Sequence, residues 1–288
     1  MKALIMSREE LTILTNDIHS GDKRYFKVLY PFYGTNLFTM DFKKPEITDI
    51  VEKDRFRKDE RDHTPRGMDS KEMVWYDDLK DCLTSAGILK FKNEDQVIEW
   101  LQKLKRESKD QYSTQRFRFL ALDTNIMYHK FVSRHLSFQD SDGKPFYDGL
   151  RYMVSDIVRD EIDSAIKHKY KGHEIAAFRS MFNRDELVDE FSNGSDLRAR
   201  KAKLAFNECE FVRRHLEASR ASGQGSSDKE ENDRAIARSY MERAMIGNHE
   251  VFLLTADEDM INHARTADMI AMQLVPPVDV PKRLRVEP

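Results

Sequence analysis

The sequence predicts an α/β protein: a three-layer α/β/α domain with a mainly parallel central sheet in the C-terminal part, preceded by a smaller α+β region. From about residue 115 onward, short apolar runs alternate with amphipathic segments, as expected of a parallel sheet covered by helices. Two of those runs end in an aspartate that opens the next helix, and in open α/β sheets ligands bind at the carboxyl ends of strands. The chain has 288 residues, 40% hydrophobic and 34% charged, a length that fits two ordinary domains.

Residues 1–112 are read as the α+β region. Tyr25 to Tyr33 and Leu37 to Phe42 are aromatic-rich strand candidates. Lys53 to Arg66 is densely charged, holds Pro65 with Gly67 just beyond, and reads as a loop. A helix is predicted from Asn93, where Asn93 and Gln96 make an N-x-x-Q capping pattern and Val97, Leu101 and Leu104 recur at helical spacing. Arg106 to Thr114 reads as a linker. No repeat and no chemical motif occurs in this region, and its aromatic residues are read as core. Its position is compatible with recognising RNA, binding a protein partner, pairing two copies of the chain, or covering a site in the following domain.

Residues 115–276 carry the chemistry. Phe117 to Leu122 is an apolar strand ending at Asp123-Thr124-Asn125, and the amphipathic segment Ile126 to Leu136 follows. Tyr152 to Ser155 leads into a helix whose buried stripe is Val158, Ile162, Ala165 and Ile166. Glu161 borders that stripe, whereas Asp160 and Asp163 point to solvent. A helical insertion is expected over about 170–226. After the small polar segment Ala221 to Ser226, Ser227 and Glu230 form an S-x-x-E capping box. In the helix that follows, Asp233 is in phase with Ile236, Ala237, Tyr240 and Ala244, on an apolar stripe where a carboxylate is costly unless paired or bound to a cation. Val251 to Leu254 is a second strand that ends in acid, running into Thr255-Ala256-Asp257-Glu258-Asp259, with a further helix through Ile261 and Ala264 and a last strand from Ile270 to Val275. Residues 277–288 are read as a tail.

Taken singly, each acid has a plain explanation: Asp123 and Asp257 as helix caps, Glu161 as a surface acid, and Asp233 as a first-turn residue favoured by the helix dipole. Their combination at one sheet edge gives the functional reading weight. It also follows the pattern of a known family. The stretch Phe119-Leu120-Ala121-Leu122-Asp123-Thr124-Asn125 resembles the first motif of the PIN-domain nucleases. Ser155 with Glu161 six residues later is similar to the second, Asp233 three residues before Ile236 to the third, and Leu253-Leu254-Thr255-Ala256-Asp257-Glu258-Asp259 to the fourth. The motifs occur in family order, with one departure: 71 residues lie between Glu161 and Asp233, more than a compact member has.

The resemblance implies a metal-dependent endoribonuclease that leaves 5′-phosphate and 3′-hydroxyl ends, in RNA processing or quality control. The metal ligands it implies are Asp123, Glu161, Asp233 and Asp257, with Asp259 optional, around one or two Mg2+ or Mn2+ ions. Thr124, Asn125 and Thr255 are then expected to orient carboxylates or metal-bound water. The implied substrate is RNA, with structure-specific cleavage of DNA or a non-cleaving nucleic-acid-binding or scaffold module as alternatives. A haloacid-dehalogenase-type phosphatase would need an acid where Asn125 stands, and a flap-endonuclease-like enzyme usually brings more acids and a helical arch.

Charge and composition narrow the remaining classes. Net charge is −3, from 48 basic and 51 acidic residues, which leaves local patches to decide any polyanion binding. Ser195 to Arg220 holds seven basic against four acidic residues. Within it Arg198, Arg200, Lys201 and Lys203 are candidate RNA-backbone contacts, although a solvated helix face is the plainer reading. No run approaches a membrane span, and Ala3 to Met6 is too short for a signal h-region, so a cytoplasmic protein is expected. Cys82 and Cys209 form neither a disulfide framework nor a zinc motif, and His129, His168 and His263 lack metal-ligand spacing.

Overall fold

The computed structural model describes residues 25–30, 34–41, 43–44, 46–63, 76–108, 117–136, 150–182, 185, 188–189, 197–226 and 228–285. Over these residues the chain divides into two compact units, Met1–Leu89 with Lys171–Val188 and Pro277–Pro288, and Lys90–Tyr170 with Asp189–Pro276.

The first unit is built on an antiparallel sheet of β1 (Tyr25–Tyr30), β2 (Thr35–Asp41), β3 (Glu46–Thr48) and β9 (Arg283–Arg285), in that order. The segment beyond residue 276, expected as a tail, thus supplies an edge strand, with Leu284 opposite Ile47. Among the described residues, the helices α1 (Lys53–His63), α2 (Tyr76–Ser85) and α7 (Gly172–Phe182) belong to this unit. Helix α1 occupies the stretch expected as a loop. Pro65 and Gly67 lie beyond its end, outside the described residues, and its anchor is the single apolar side chain Phe56. Phe56 is fully buried, with ring centroids 6.4 Å from Tyr30 and 6.1 Å from Tyr76. One aromatic residue among ten polar ones is enough when the sheet supplies the partners, and a scan for apolar runs does not see it.

The second unit is an α/β fold with a parallel five-stranded sheet. Strands β4 (Arg118–Leu122), β5 (Arg151–Ser155), β6 (Ser219–Ala221), β7 (Glu250–Thr255) and β8 (Ile270–Gln273) lie in the order β6-β5-β4-β7-β8, and every neighbouring pair is parallel. Its helices are α3 (Glu94–Glu107), α4 (Thr124–Tyr128), α5 (Phe131–His135), α6 (Asp156–Ile166), α8 (Leu197–His215), α9 (Lys229–Ile246) and α10 (Glu258–Thr266). Helices α4, α6 and α8 pack on one another, as do α9 and α10. The connections run one way from β4 through β5 to β6 and the other way from β7 to β8. With the right-handed crossovers usual for parallel strands, these two helix groups fall on opposite faces, which is compatible with a three-layer arrangement. No helix among the described residues is long and apolar enough to cross a membrane.

Several local expectations meet a different outcome here. Helix α3, read from the sequence as the end of the N-terminal region, buries Val97, Leu101 and Leu104 in the same core as Phe119 and Leu120 of β4. Asn93 precedes that helix but makes no side-chain cap. Its amide donates to Gln273 O at 2.7 Å and its oxygen accepts from Val275 N at 2.9 Å, tying α3 to the end of β8. The amphipathic segment after Asn125 is broken into α4 and α5 at Lys130, whose φ of 52° is left-handed. Buried Glu208 of α8 accepts from Ser133 N at 2.7 Å, satisfying a free N–H in the first turn of α5. The expected helical insertion also contains β6, the edge strand of the parallel sheet. Its helix α8 buries Ala199, Ala202, Ala205, Cys209 and Val212, and so extends the helical layer.

Helix α9 is stitched to the sheet by Tyr240. The β4/β5 ladder ends at Ala121 opposite Met153, whereas β4/β7 pairing continues to Leu122 opposite Leu254. At the resulting splay the Tyr240 hydroxyl donates to Leu122 O at 2.6 Å and accepts from Ser155 N at 3.1 Å. Ser239 adds a hydroxyl bond of 2.9 Å to Ser155, which caps α6. The head of α9 is capped by Asp228, accepting from Glu231 N at 2.9 Å, one residue later than the sequence pattern at Ser227 and Glu230 suggested; Ser227 itself lies outside the described residues.

Candidate metal centre

Strand order reverses between β4 and β7, so the chain leaves their carboxyl ends in opposite directions and opens a crevice between them. Asp123 and Thr255 stand side by side there, because Leu122 pairs with Leu254 and Asp123 N donates to Leu254 O at 3.2 Å. Each strand hands over to its helix through an aspartate cap: Asp123 accepts from Thr124 N at 2.7 Å, and Asp257 from Asp259 N at 2.9 Å.

Asp123 is 4% exposed and held from three sides. Besides the Thr124 amide on Oδ1, its Oδ2 accepts from Asn125 Nδ2 at 2.6 Å and from Thr255 Oγ1 at 2.6 Å. Asn125 is fixed in turn, its oxygen accepting from Ala256 N at 2.8 Å and its amide donating to Thr255 Oγ1 at 3.2 Å. Thr255 Oγ1 also accepts from Asp257 N at 2.9 Å. One buried hydroxyl thus links both strand-end acids.

Glu161 arrives from the second turn of α6, half-buried at the border of the apolar stripe. Thr124 Oγ1 donates to its Oε2 in a short hydrogen bond, and Asn232 Nδ2 donates to its Oε1 at 3.0 Å. Asp233, the next residue on α9, is 8% exposed and makes no hydrogen bond or salt bridge among the described residues. Asp257 is partly exposed and pairs through Oδ2 with Lys229 Nζ at 3.1 Å. Asp259 is exposed on the first turn of α10.

These acids act on one another. Burial raises the Asp123 carboxyl to about 6, and the charges of Asp233 and Glu161 push the same way against the hydrogen bonds from Thr255 and Thr124. Asp233 is also raised to about 6, first by burial and then by Asp257, Glu161 and Asp259, with Lys229 opposing. As the side chains stand, no three acidic, histidine or cysteine groups among the described residues converge tightly enough to hold one ion. Glu161 is turned to Thr124 and Asn232, and Asp257 to Lys229, as expected of like charges seeking donors. The donor type nonetheless suits a hard divalent cation: every candidate ligand is a carboxylate oxygen, and Asp233 makes no hydrogen bond or salt bridge among the described residues.

The sheet therefore brings Asp123, Glu161, Asp233 and Asp257 to one edge, with Thr124, Asn125 and Thr255 hydrogen-bonded among them. Arg200 and Lys203 are exposed on α8 and Lys201 is half-buried, while the side chain of Arg198 lies outside the described ones. Arg200, Lys201 and Lys203 do not line the groove beside the acids, whose walls include Thr124, Tyr128, Glu161, Ser226, Lys229 and Asn232. Sequence reasoning missed Lys229, Asn232 and Tyr240. Lys229 was detectable, lying four residues before Asp233 on the same helix face. Asn232 and Tyr240 act across elements and leave no local signal.

No family model matches the chain, and no curated protein matches it. Among solved structures, a domain of a functionally unknown protein from Methanocaldococcus jannaschii matches at 12% identity and a TM-score of 0.32, covering 55% of this chain and 91% of that one. A likeness of that size carries no argument about fold or function.

Proposed function

We propose that the α/β unit is a PIN-type nuclease that hydrolyses RNA phosphodiester bonds internally, using Mg2+ or Mn2+ held by Asp123, Glu161, Asp233 and Asp257, and leaving 5′-phosphate and 3′-hydroxyl ends. The observation that carries this reading is Asp233, a carboxylate at 8% exposure that makes no hydrogen bond or salt bridge among the described residues and feels the charges of Asp257, Glu161 and Asp259 at a sheet crevice. A bound cation would relieve both the partial burial of this carboxylate and the repulsion from its acidic neighbours.

A bound divalent ion supplies Lewis-acid polarisation of the phosphate and a more acidic attacking water. The chain's own groups do the positioning. Asp123 is immobilised by Thr124, Asn125 and Thr255, which suits a central ligand whose orientation must not drift. Glu161 is aimed by Thr124 and Asn232, and Asp257 is tied to the same Thr255 through its backbone N–H. The groove bordered by Tyr128, Ser226 and Lys229 offers an aromatic side chain, a hydroxyl and a cation to a nucleotide beside the acids.

A second reading, a nucleic-acid-binding module that does not cleave, draws on the absence of a ready three-ligand cluster among the described residues. One experiment separates the two. Labelled single-stranded RNA, structured RNA and single-stranded DNA are incubated with the protein in Mn2+, Mg2+ or EDTA, with Asp123→Asn alongside. Metal-dependent cutting of RNA that is lost in the variant supports the nuclease, preferential cutting of DNA reassigns its substrate, and binding without cutting favours the module.

A further inference from the structure

We infer that Lys229 is a built-in counter-cation of the acid cluster, which a divalent ion must displace from Asp257 on binding. The inference rests on the cation site proposed above and names the group that regulates its occupancy.

Lys229 is placed against local helix rules. It occupies the first position of α9, whose unpaired N–H groups and macrodipole favour acids, and Glu230 and Glu231 follow it there as expected. A base at that position has no local reason. Its side chain crosses to another element, where Nζ meets Asp257 Oδ2, the cap of α10. It also lies one helical turn from Asp233 and lines the groove together with Thr124, Glu161 and Asn232. Of the four candidate ligands, Asp257 alone forms a salt bridge among the described residues. The Lys229 side chain is 73% exposed and its stem is flexible, so the ammonium can swing into water without unpacking anything. An exposed pair of this kind is weak and is therefore suited to being exchanged for an ion of higher charge.

Mn2+ affinity of the full-length protein, measured by calorimetry or by the loss of the free-ion paramagnetic resonance signal, tests this directly. Lys229→Met is expected to bind Mn2+ roughly three- to fivefold more tightly than wild type, because the competitor is gone. Lys229→Arg should stay within about twofold of wild type, since it keeps a cation at the pair. Arg234→Met, which removes a charge on the next turn that is paired with Glu230 instead, controls for a general field effect and should also stay within about twofold. Equal tightening by Lys229→Met and Arg234→Met would overturn displacement in favour of simple electrostatics. Unchanged or weaker binding by Lys229→Met would overturn it too, the latter by showing that Lys229 helps to hold Asp257 in place. Failure of the underlying cation site looks different: wild type would bind no Mn2+, or Asp233→Asn would bind it equally well, and the inference would fall with the site.

Discussion

The β4/α4 and β7/α10 junctions are built to the same local recipe and end in different states. Each is an apolar parallel strand that stops at an aspartate whose carboxylate caps the following helix. Yet Asp123 is 4% exposed and closed in by three hydrogen-bond donors, whereas Asp257 is partly open to water and shares a surface ion pair with Lys229. The difference comes from position in the sheet. Strand β4 is central and the carboxylate at its end is held by Thr124 and Asn125 of α4 and Thr255 of β7, while the end of β7 lies nearer the edge strand β8. An identical cap can thus be a fixed anchor or an adjustable arm, and a metal site gains from having one of each.

The contrast predicts unequal responses. Removing the anchor should matter most: Asp123→Asn is expected to lower cleavage by about 1000-fold or more, as for loss of several kcal/mol of transition-state stabilisation, while Asp257→Asn should lose less and recover partly at raised Mn2+. In Asp123→Asn an amide N–H meets the Asn125 donor, but the variant also removes a carboxylate that burial raises to about 6, so circular dichroism melts at neutral pH should show little net change in stability. Equal, unrecoverable losses in the two variants would erase the distinction.

Next in size is the effect of pH on the metal-free protein. Asp233 in the folded state holds its proton up to about 6, above the roughly 3.9 of an unfolded aspartate. Between those values the folded state carries a proton that the unfolded chain has released, so stability falls as pH rises from about 4 to 6 and stays low above it. Asp233→Asn removes that loss. In EDTA at pH 7.5 it should be about 2–3 kcal/mol more stable than wild type in urea melts, with the advantage fading towards pH 4. Asp257→Asn should show no comparable gain, since asparagine caps a helix about as well and the lost ion pair is exposed.

Thr255→Val tests the hydroxyl that joins the two junctions. It leaves the buried Asp123 Oδ2, the Asn125 amide and Asp257 N each short of a partner, which predicts a loss of about 1–3 kcal/mol in stability and roughly tenfold weaker Mn2+ binding. At the small end, Asp163→Asn breaks only a 3.8 Å contact with Arg159 on the exposed side of α6, and should change stability by less than about 0.5 kcal/mol and activity hardly at all.

The sequence carried the parts of this arrangement that depend on period and punctuation. The alternation after residue 115, the two strand-end aspartates and the phase of Glu161 on α6 are all local signals, and they describe β4, β5, β7 and their helices well. The failures share one cause, which is that a distant group decides. Phe56 makes a helix of a charged stretch because Tyr30 and Tyr76 receive it. The break at Lys130 accompanies the buried Glu208, which supplies an acceptor for the first turn of α5. Asn93 prefers the end of β8 to its own helix. Strand β6, only Ser219–Ala221, is too short and polar to announce itself and exists through pairing with β5. In the site, the strand-end acids were legible one by one, but the Thr255 hydroxyl that ties them together depends on β4 and β7 being neighbours.

The Tyr240 bridge has a consequence for how the chain can vary. Asp233 lies seven residues upstream of Tyr240, two turns along the same face of α9, and Tyr240 is bonded to the ends of both β4 and β5. The height and rotation of Asp233 over the crevice are therefore referred to the sheet itself and not to the length of chain that leads to it. Changes of length within the 71 residues between Glu161 and Asp233 that leave α8, β6 and the head of α9 in place need not move the acid. A descendant of this sequence could change what it recognises through that stretch while its four carboxylates kept their spacing.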